Sequence, residues 1–205
     1  LPSAKNTIPT LISEIQNKQI PTWFITGSQT ATNVFNKAQS LVSINSNGQS
    51  ANEVTGTYQN VFNLFNLEEK TISLFPKLPA LNAPYGQYTV SPASQSILNQ
   101  KIGNVNTKNP LLIYSLAGSS KTAILFGENF WKWRLYDYVI NTNQDATNEL
   151  VSKTLQYLST KNDKKQFRVN QARSVINENE PVLLDAELYN DSYQLINEPD
   201  VTLTI

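Results

Sequence analysis

The sequence predicts an α/β domain with a partly parallel sheet and flanking helices, followed by a short all-β segment. Over residues 8–44, helical apolar spacing alternates with short β-rich runs, an order that implies parallel strands with crossover helices. Over residues 182–188 and 201–205 the apolar period is two, which indicates antiparallel strands. A charged run at residues 161–165 separates the two patterns. The predicted domains are therefore residues 1–160 and 165–205.

The N-terminal elements follow from apolar spacing and turn residues. A first helix begins after Thr7, and residues 21–27 form a short apolar run that predicts a buried strand. A second helix is predicted from residue 31, and residues 41–44 predict the next strand. Residues 45–60 are polar and rich in Gly, Ser and Asn, so we expect a long surface loop there.

The second half of the first domain is richer in β-forming residues. Residues 111–116 and 122–126 flank a short polar turn and predict a β-hairpin. Residues 131–140 carry apolar side chains on both sides of a predicted helix, which is typical of a buried helix. A further helix is predicted to end near Leu158.

Composition excludes several classes of site. Among the 205 residues there is no Cys and no His, which rules out thiolate nucleophiles, disulfides and a Ser-His-Asp triad. The 16 basic and 16 acidic residues give a net charge of zero, which argues against a cationic nucleic-acid or membrane-surface binder. No apolar run approaches the roughly 20 residues of a membrane-spanning helix. We expect no cofactor and no nucleic-acid partner.

Residues 26–29 lie between a predicted strand and a predicted helix. Such a turn can present a nucleophile, so Thr26 and Ser28 are candidate catalytic residues. Because no His is present, the base would be a lysine, to which no position can be assigned, or a group from another part of a longer parent chain. The alternative, favoured because such residues commonly cap helices, is structural: Gly27 permits the turn, and Ser28 or Thr30 caps the helix.

Acidic residues near the C-terminus form a candidate metal site. Asp185 and Glu187 lie on one face of a predicted strand, and Asp191 follows closely. Carboxylate oxygens suit calcium. The alternative is that they form the solvated face of an antiparallel strand.

The most distinctive stretch is residues 127–134, Gly-Glu-Asn-Phe-Trp-Lys-Trp-Arg. Exposed Trp131 and Trp133, with Arg134 stacked on a ring, could form a platform for a carbohydrate or peptide. The alternative is that both rings pack in or against the core, because aromatic side chains dominate core energetics.

With the hairpin before it and Leu-Gln-Tyr-Leu at residues 155–158 after it, this stretch resembles a block in large envelope proteins of Bacteroidota. Those proteins carry a class I glutamine-amidotransferase-like, flavodoxin-like domain followed by immunoglobulin-like strands. The resemblance covers residues 8–160 and is most specific over 110–160. It implies a flavodoxin-like domain lacking its first strands, a partial Ig-like segment, and a place in the Gram-negative envelope or periplasm. The parent protein is expected to be longer, with a membrane anchor on that parent as an open alternative.

The resemblance implies the fold without the activity. Thr26 or Ser28 stands near the nucleophilic Cys position of working amidotransferases, and the catalytic His of that family has no counterpart. We therefore expect a non-catalytic domain that mediates protein–protein or surface recognition. Two alternatives stay open: a carbohydrate- or peptidoglycan-binding module using exposed Trp, and a hydrolase with its nucleophile at residues 26–29. Exposed strand edges would also permit dimerisation.

Overall fold

The computed structural model describes residues 9–46, 51–116, 120–160, 167–171, 184–189, 195–196 and 202. The chain divides into two compact units. The first comprises Leu1–Phe62 with Asn66–Thr160, and the second Asn63–Phe65 with Lys161–Ile205.

The described part of the first unit contains five α-helices and eight strands. The helices are α1 (Pro9–Asn17), α2 (Thr32–Ala38), α3 (Glu69–Leu74), α4 (Trp131–Asn141) and α5 (Asp145–Ser159). The strands are β1 (Thr22–Thr26), β2 (Val42–Asn45), β3 (Ala51–Tyr58), β4 (Leu81–Pro84), β5 (Gln87–Val90), β6 (Ser94–Ile102), β7 (Val105–Ser115) and β8 (Thr122–Phe126). A short 3-10 helix, Phe75–Lys77, follows α3.

Six of these strands form one mixed sheet in the order β1-β8-β7-β6-β3-β4. The pair β1–β8 is parallel, with Thr22 opposite Thr122, and the other four pairs are antiparallel. Strands β2 and β5 form a separate antiparallel ribbon. The domain is therefore mixed α/β, as expected, but its main sheet is mostly antiparallel.

The prediction that the first two strands are parallel neighbours is wrong, because β2 pairs with β5 instead. Along β2, Val42 and Ile44 are buried while Ser43 and Asn45 are exposed. A strand inside a parallel sheet is buried on both faces, whereas this alternation suits a two-stranded ribbon with one solvated face. The neighbour of β1 is β8, whose last four residues are all buried.

The loop expected at residues 45–60 is also wrong for residues 51–58, which form β3 and pair with both β4 and β6. Val54 and Gly56 are its buried residues. A Cβ on Gly56 would lie 3.3 Å from Leu111 and 3.4 Å from Leu98, so the glycine here allows close packing of leucines on the strand. The polar residues and the glycine of this stretch therefore belong to a strand that is partly exposed to solvent, and not to a loop.

Several local predictions are confirmed. Strands β7 and β8 form the expected hairpin pairing, with Leu112 opposite Leu125. Helices α4 and α5 lie where their spacing placed them. In the second unit, β9 (Phe167–Gln171) and β10 (Leu184–Leu188) pair antiparallel, as expected for this segment. The strand predicted at 201–205 lies outside the described residues except for Thr202.

Helix α5 is joined to the central strands by hydroxyl groups. The Thr154 hydroxyl donates to the Leu150 carbonyl oxygen at 2.8 Å and lies 2.7 Å from the Tyr114 hydroxyl. Because the single Thr154 proton is used, Tyr114 is the donor of the second bond. Burial raises the pKa of Tyr114, which keeps this hydroxyl protonated. On the same helix, Tyr157 donates to the Ser115 carbonyl oxygen.

Carboxylates from neighbouring helices cap α3 and α5, whose own N-cap residues, Glu68 and Gln144, make no side-chain capping hydrogen bond. Fully buried Asp137 on α4 accepts a hydrogen bond from the Thr147 backbone N–H at 2.8 Å, in the first turn of α5. Glu149 on α5 accepts one from the Glu68 N–H at 3.0 Å, at the start of α3. Each carboxylate satisfies a donor at a helix N-terminus, so the three helices are fixed relative to one another.

Trp133 anchors α4 to the rest of the unit. Its side chain is 1% exposed, and its Nε1 donates to the Pro79 carbonyl oxygen at 2.8 Å. Its ring lies 5.3 Å from that of Phe130 and 6.4 Å from that of Phe75, measured between centroids.

We expect Trp133→Ala to lower the free energy of unfolding by about 3–5 kcal/mol, because it removes a large buried ring. Trp133→Phe keeps most of the ring but leaves the Pro79 carbonyl without its donor, so it should cost about 1–3 kcal/mol. Urea unfolding followed by circular dichroism measures both values.

The matched control is Trp131→Ala, which removes the same side chain two residues earlier, where it is 60% exposed. It should change stability by about 0.5 kcal/mol or less. Equal losses for the two Trp positions would contradict this assignment of the anchor.

Candidate functional site

The candidate catalytic turn lies at one edge of the sheet, where the parallel strands β1 and β8 end. Ser28 follows β1 by two residues, and Glu128 follows β8 by two residues. The Ser28 hydroxyl donates to Glu128 Oε1 at 2.8 Å. The Asn82 side-chain amide donates to the same oxygen at 3.4 Å. Three polar side chains from distant parts of the sequence therefore converge at this edge.

The backbone holds this arrangement in place. Asn82 and Glu128 exchange backbone hydrogen bonds, of which the one from the Glu128 N–H to the Asn82 carbonyl is 3.0 Å. A Cβ on Gly27 would lie 2.3 Å from Glu128 Oε2 and 2.7 Å from Glu128 Cβ, so only a glycine allows the carboxylate to approach the turn. Gly127 likewise allows a close approach of Leu81, since a Cβ on Gly127 would lie 2.7 Å from Leu81 Cβ.

The two threonines of the turn have structural contacts. Thr26 is fully buried, and its hydroxyl lies 3.4 Å from the Leu125 carbonyl oxygen. Thr30 accepts a hydrogen bond from the Gly27 N–H at 2.9 Å, which closes the turn. The expected helix cap is not formed by Ser28 or Thr30, because the residue before α2 is Ala31, whose side chain makes no capping hydrogen bond.

The group beside Ser28 is a carboxylate and not the lysine that sequence reasoning invoked as a base. Lys121 lies directly before β8, whereas Glu128 follows the other end of that strand, about 20 Å away along the extended chain. Burial lowers the pKa of Lys121, whose Nζ donates to Thr160 Oγ1 at 2.7 Å and lies 4.5 Å from the Tyr157 ring centroid.

Sequence reasoning missed Glu128 as a neighbour of Ser28, since 100 residues separate the two. A signal was present in the sequence: each strand is followed by a glycine and then a polar residue, Gly27-Ser28 and Gly127-Glu128. In a parallel pair these positions are equivalent. This signal can be interpreted only when β1 and β8 are known to be paired strands.

The three residues of the predicted aromatic platform point in different directions. Trp133 is buried, whereas Trp131 is exposed. Arg134 is exposed and its Nε donates to Gln144 Oε1 at 2.5 Å. Lys132 Nζ lies 5.9 Å from the Trp131 ring centroid. Of the two Trp rings, only Trp131 is available at the surface.

Helix α4 exposes an apolar stripe to solvent. We define the α4 face as Trp131, Leu135, Tyr138 and Val139, all of which are exposed. At about 100° per residue these four fall within an arc of about 100°. The expectation of a helix buried on both sides is wrong: only Trp133 and Asp137 are buried. A stripe of this width normally faces a core, so its exposure to solvent marks the α4 face as a candidate interaction surface.

The predicted metal ligands do not form a cluster within the described residues. Asp185 and Glu187 lie on β10, and Glu187 accepts a hydrogen bond from the Tyr189 hydroxyl at 2.9 Å. Asp191 lies outside the described part of the chain. No group of three or more His, Cys, Asp or Glu side chains that could hold a metal ion occurs among the residues that the structure describes.

No protein-family model, curated protein or solved structure matches this chain. The resemblance to amidotransferase-like envelope proteins therefore stays a prediction. Among the described residues, no helix has the length and apolar character needed to cross a membrane.

The close approach at Gly27 gives a direct test of the turn geometry. We expect Gly27→Ala to lower the free energy of unfolding by about 1–3 kcal/mol, because its Cβ overlaps Glu128. Glu128→Gly removes the overlapping atoms, so the double variant should recover part of that loss. Urea unfolding of both single variants and the double variant measures the coupling energy, which should be about 1 kcal/mol or more. Strict additivity of the two changes would contradict the contact.

Proposed function

We propose that this chain is a non-catalytic domain of a larger cell-envelope protein and that it recognises another protein or a surface through the α4 face. The observation that carries the proposal is the exposure of four large apolar side chains on one stripe of a well-anchored helix. Exposed patches of this kind are typical of interaction sites. Covering one such side chain contributes about 1.5–3 kcal/mol, so the stripe can supply a substantial part of a binding energy.

The finer parts of the proposal rest on separate features. The parallel pair β1–β8 and its adjoining helices support a relation to flavodoxin-like domains. The antiparallel pair β9–β10 supports an Ig-like origin for the second unit. The absence of Cys and His from the sequence supports a domain that has no amidotransferase chemistry.

A site-specific photo-crosslinking amino acid at position 139, in cells that produce the protein, tests the recognition surface. Val139 is 74% exposed, and we expect one discrete adduct, either with a protein or with a lipid or glycan, that is lost when Leu135→Glu is added.

The matched control carries the same crosslinker at position 105, on β7, where Val105 is 65% exposed and lies outside the α4 face. It should give no discrete adduct. Identical adduct patterns at positions 105 and 139, or none at position 139, would overturn the proposal.

A second candidate function is a hydrolase, and the Ser28–Glu128 hydrogen bond is the observation that favours it. Here the Ser28 hydroxyl attacks an ester carbonyl and Glu128 accepts its proton. The alkoxide leaves with that proton, and water then hydrolyses the acyl-serine.

The test is turnover of p-nitrophenyl acetate. If this function holds, Ser28→Ala removes turnover and Glu128→Gln lowers kcat about 100-fold or more, because general-base catalysis contributes about that much. The control Ser43→Ala alters an exposed serine of β2 and should change nothing. Turnover that survives Ser28→Ala would exclude this hydrolase.

A further inference from the structure

We infer that the partner of the α4 face is the interface of an anionic lipid bilayer, on which α4 lies flat. This inference rests on the proposed function, since it names what the recognition surface binds. It is carried by three features of α4: its rings, the position of its cations and the absence of an exposed acid.

The rings of the α4 face are of the kind that prefers a membrane–water interface. Trp131 and Tyr138 each combine an apolar body with a polar tip, and both are more than half exposed. Such rings concentrate where hydrocarbon meets headgroups. Along the helix, Leu135 lies between Trp131 and Tyr138, and Val139 follows Tyr138. These two aliphatic side chains would enter the boundary between headgroups and acyl chains.

Cations border the stripe on both sides. On a helical projection at about 100° per residue, Arg134 precedes Tyr138 at one edge and Lys132 follows Val139 at the other. An apolar stripe between cationic flanks is the arrangement of helices that lie in an anionic interface. When the α4 face is inserted into the bilayer interface, Lys132 and Arg134 place two positive charges at the level of the lipid headgroups.

No exposed acid on α4 offsets these charges. Asp137 is the one acidic residue of the helix, and it is buried against the start of α5. The ion pairs within the described residues, Lys18–Glu14 and Lys70–Glu68, involve neither Lys132 nor Arg134. The net charge of zero therefore describes the whole chain and not this surface.

The same cations decide against a second copy of this chain as the occupant. Packing two α4 faces together would bring Lys132 and Arg134 near their own counterparts, with no exposed α4 acid between them. Like charges in an apolar contact oppose association. Lipid phosphates supply the opposite charge at the right depth, and a continuous interface covers a helix about 16 Å long without requiring a shaped pocket.

The experiment is flotation of the full chain with two kinds of vesicle, phosphatidylcholine alone and an equal mixture with phosphatidylglycerol. We expect binding to the mixed vesicles, at least tenfold weaker binding to phosphatidylcholine, and a blue shift of Trp fluorescence on binding that Trp131→Phe abolishes. Lys132→Gln with Arg134→Gln should weaken binding about tenfold or more, since each cation near an anionic surface contributes about fivefold.

The apolar contribution is tested with matched double variants. Leu135→Glu with Val139→Glu should abolish binding, whereas Val61→Glu with Val105→Glu, which charges two other exposed apolar positions, should leave it unchanged. All four positions are exposed, and circular dichroism with urea unfolding verifies that both proteins fold.

Failure to bind the mixed vesicles, or equal losses in the two double variants, would overturn the lipid inference. Binding to peptidoglycan sacculi in place of vesicles would also overturn it and would favour the carbohydrate alternative. A protein adduct at position 139 without vesicle binding would refute the lipid partner and leave the recognition proposal standing. Absence of any adduct at position 139 would refute both.

Discussion

The burial of β8 between a parallel and an antiparallel neighbour is the constraint on which the rest of the first unit depends. Its last four residues have no solvated face, and β1 and β7 take up its two edges. Because β8 ends beside β1, Glu128 lies next to Ser28 and accepts its hydrogen bond. Helix α4 begins three residues after Glu128, at Trp131. One strand thus positions both the polar turn and the helix that carries the exposed stripe.

Local features of the fold were predictable from the sequence, and strand partners were not. The β7–β8 hairpin follows from two apolar runs separated by a short turn, a signal contained in neighbouring residues. The β1–β8 pairing joins Thr22 to Thr122 across a hundred residues, and no local pattern encodes it. For β3 the signal was misleading, since Gly56 looks like a loop residue but provides space for Leu98 and Leu111.

As with the strands, the local features of the candidate sites were predictable from the sequence, and their long-range partners were not. Ser28 was found because a strand-to-helix turn is local, whereas its partner Glu128 depends on the long-range pairing. For α4, periodicity correctly separated the Trp131 side from the Trp133 side but could not say which faces the core. The deciding contacts are the Trp133 bond to the Pro79 carbonyl and the Asp137 bond to Thr147, both with residues outside α4.

Those two contacts explain how a helix can keep an apolar stripe in water. The buried side chains of helix α4 lie along a single line, where Trp133 is packed between rings and Asp137 caps the next helix. Because that anchoring line lies on the opposite side of the helix from the α4 face, we expect the side chains of the α4 face to contribute little to folding and to be available for another contact. A substitution in the stripe can therefore change binding without changing the fold, whereas a substitution on the anchoring line must change both.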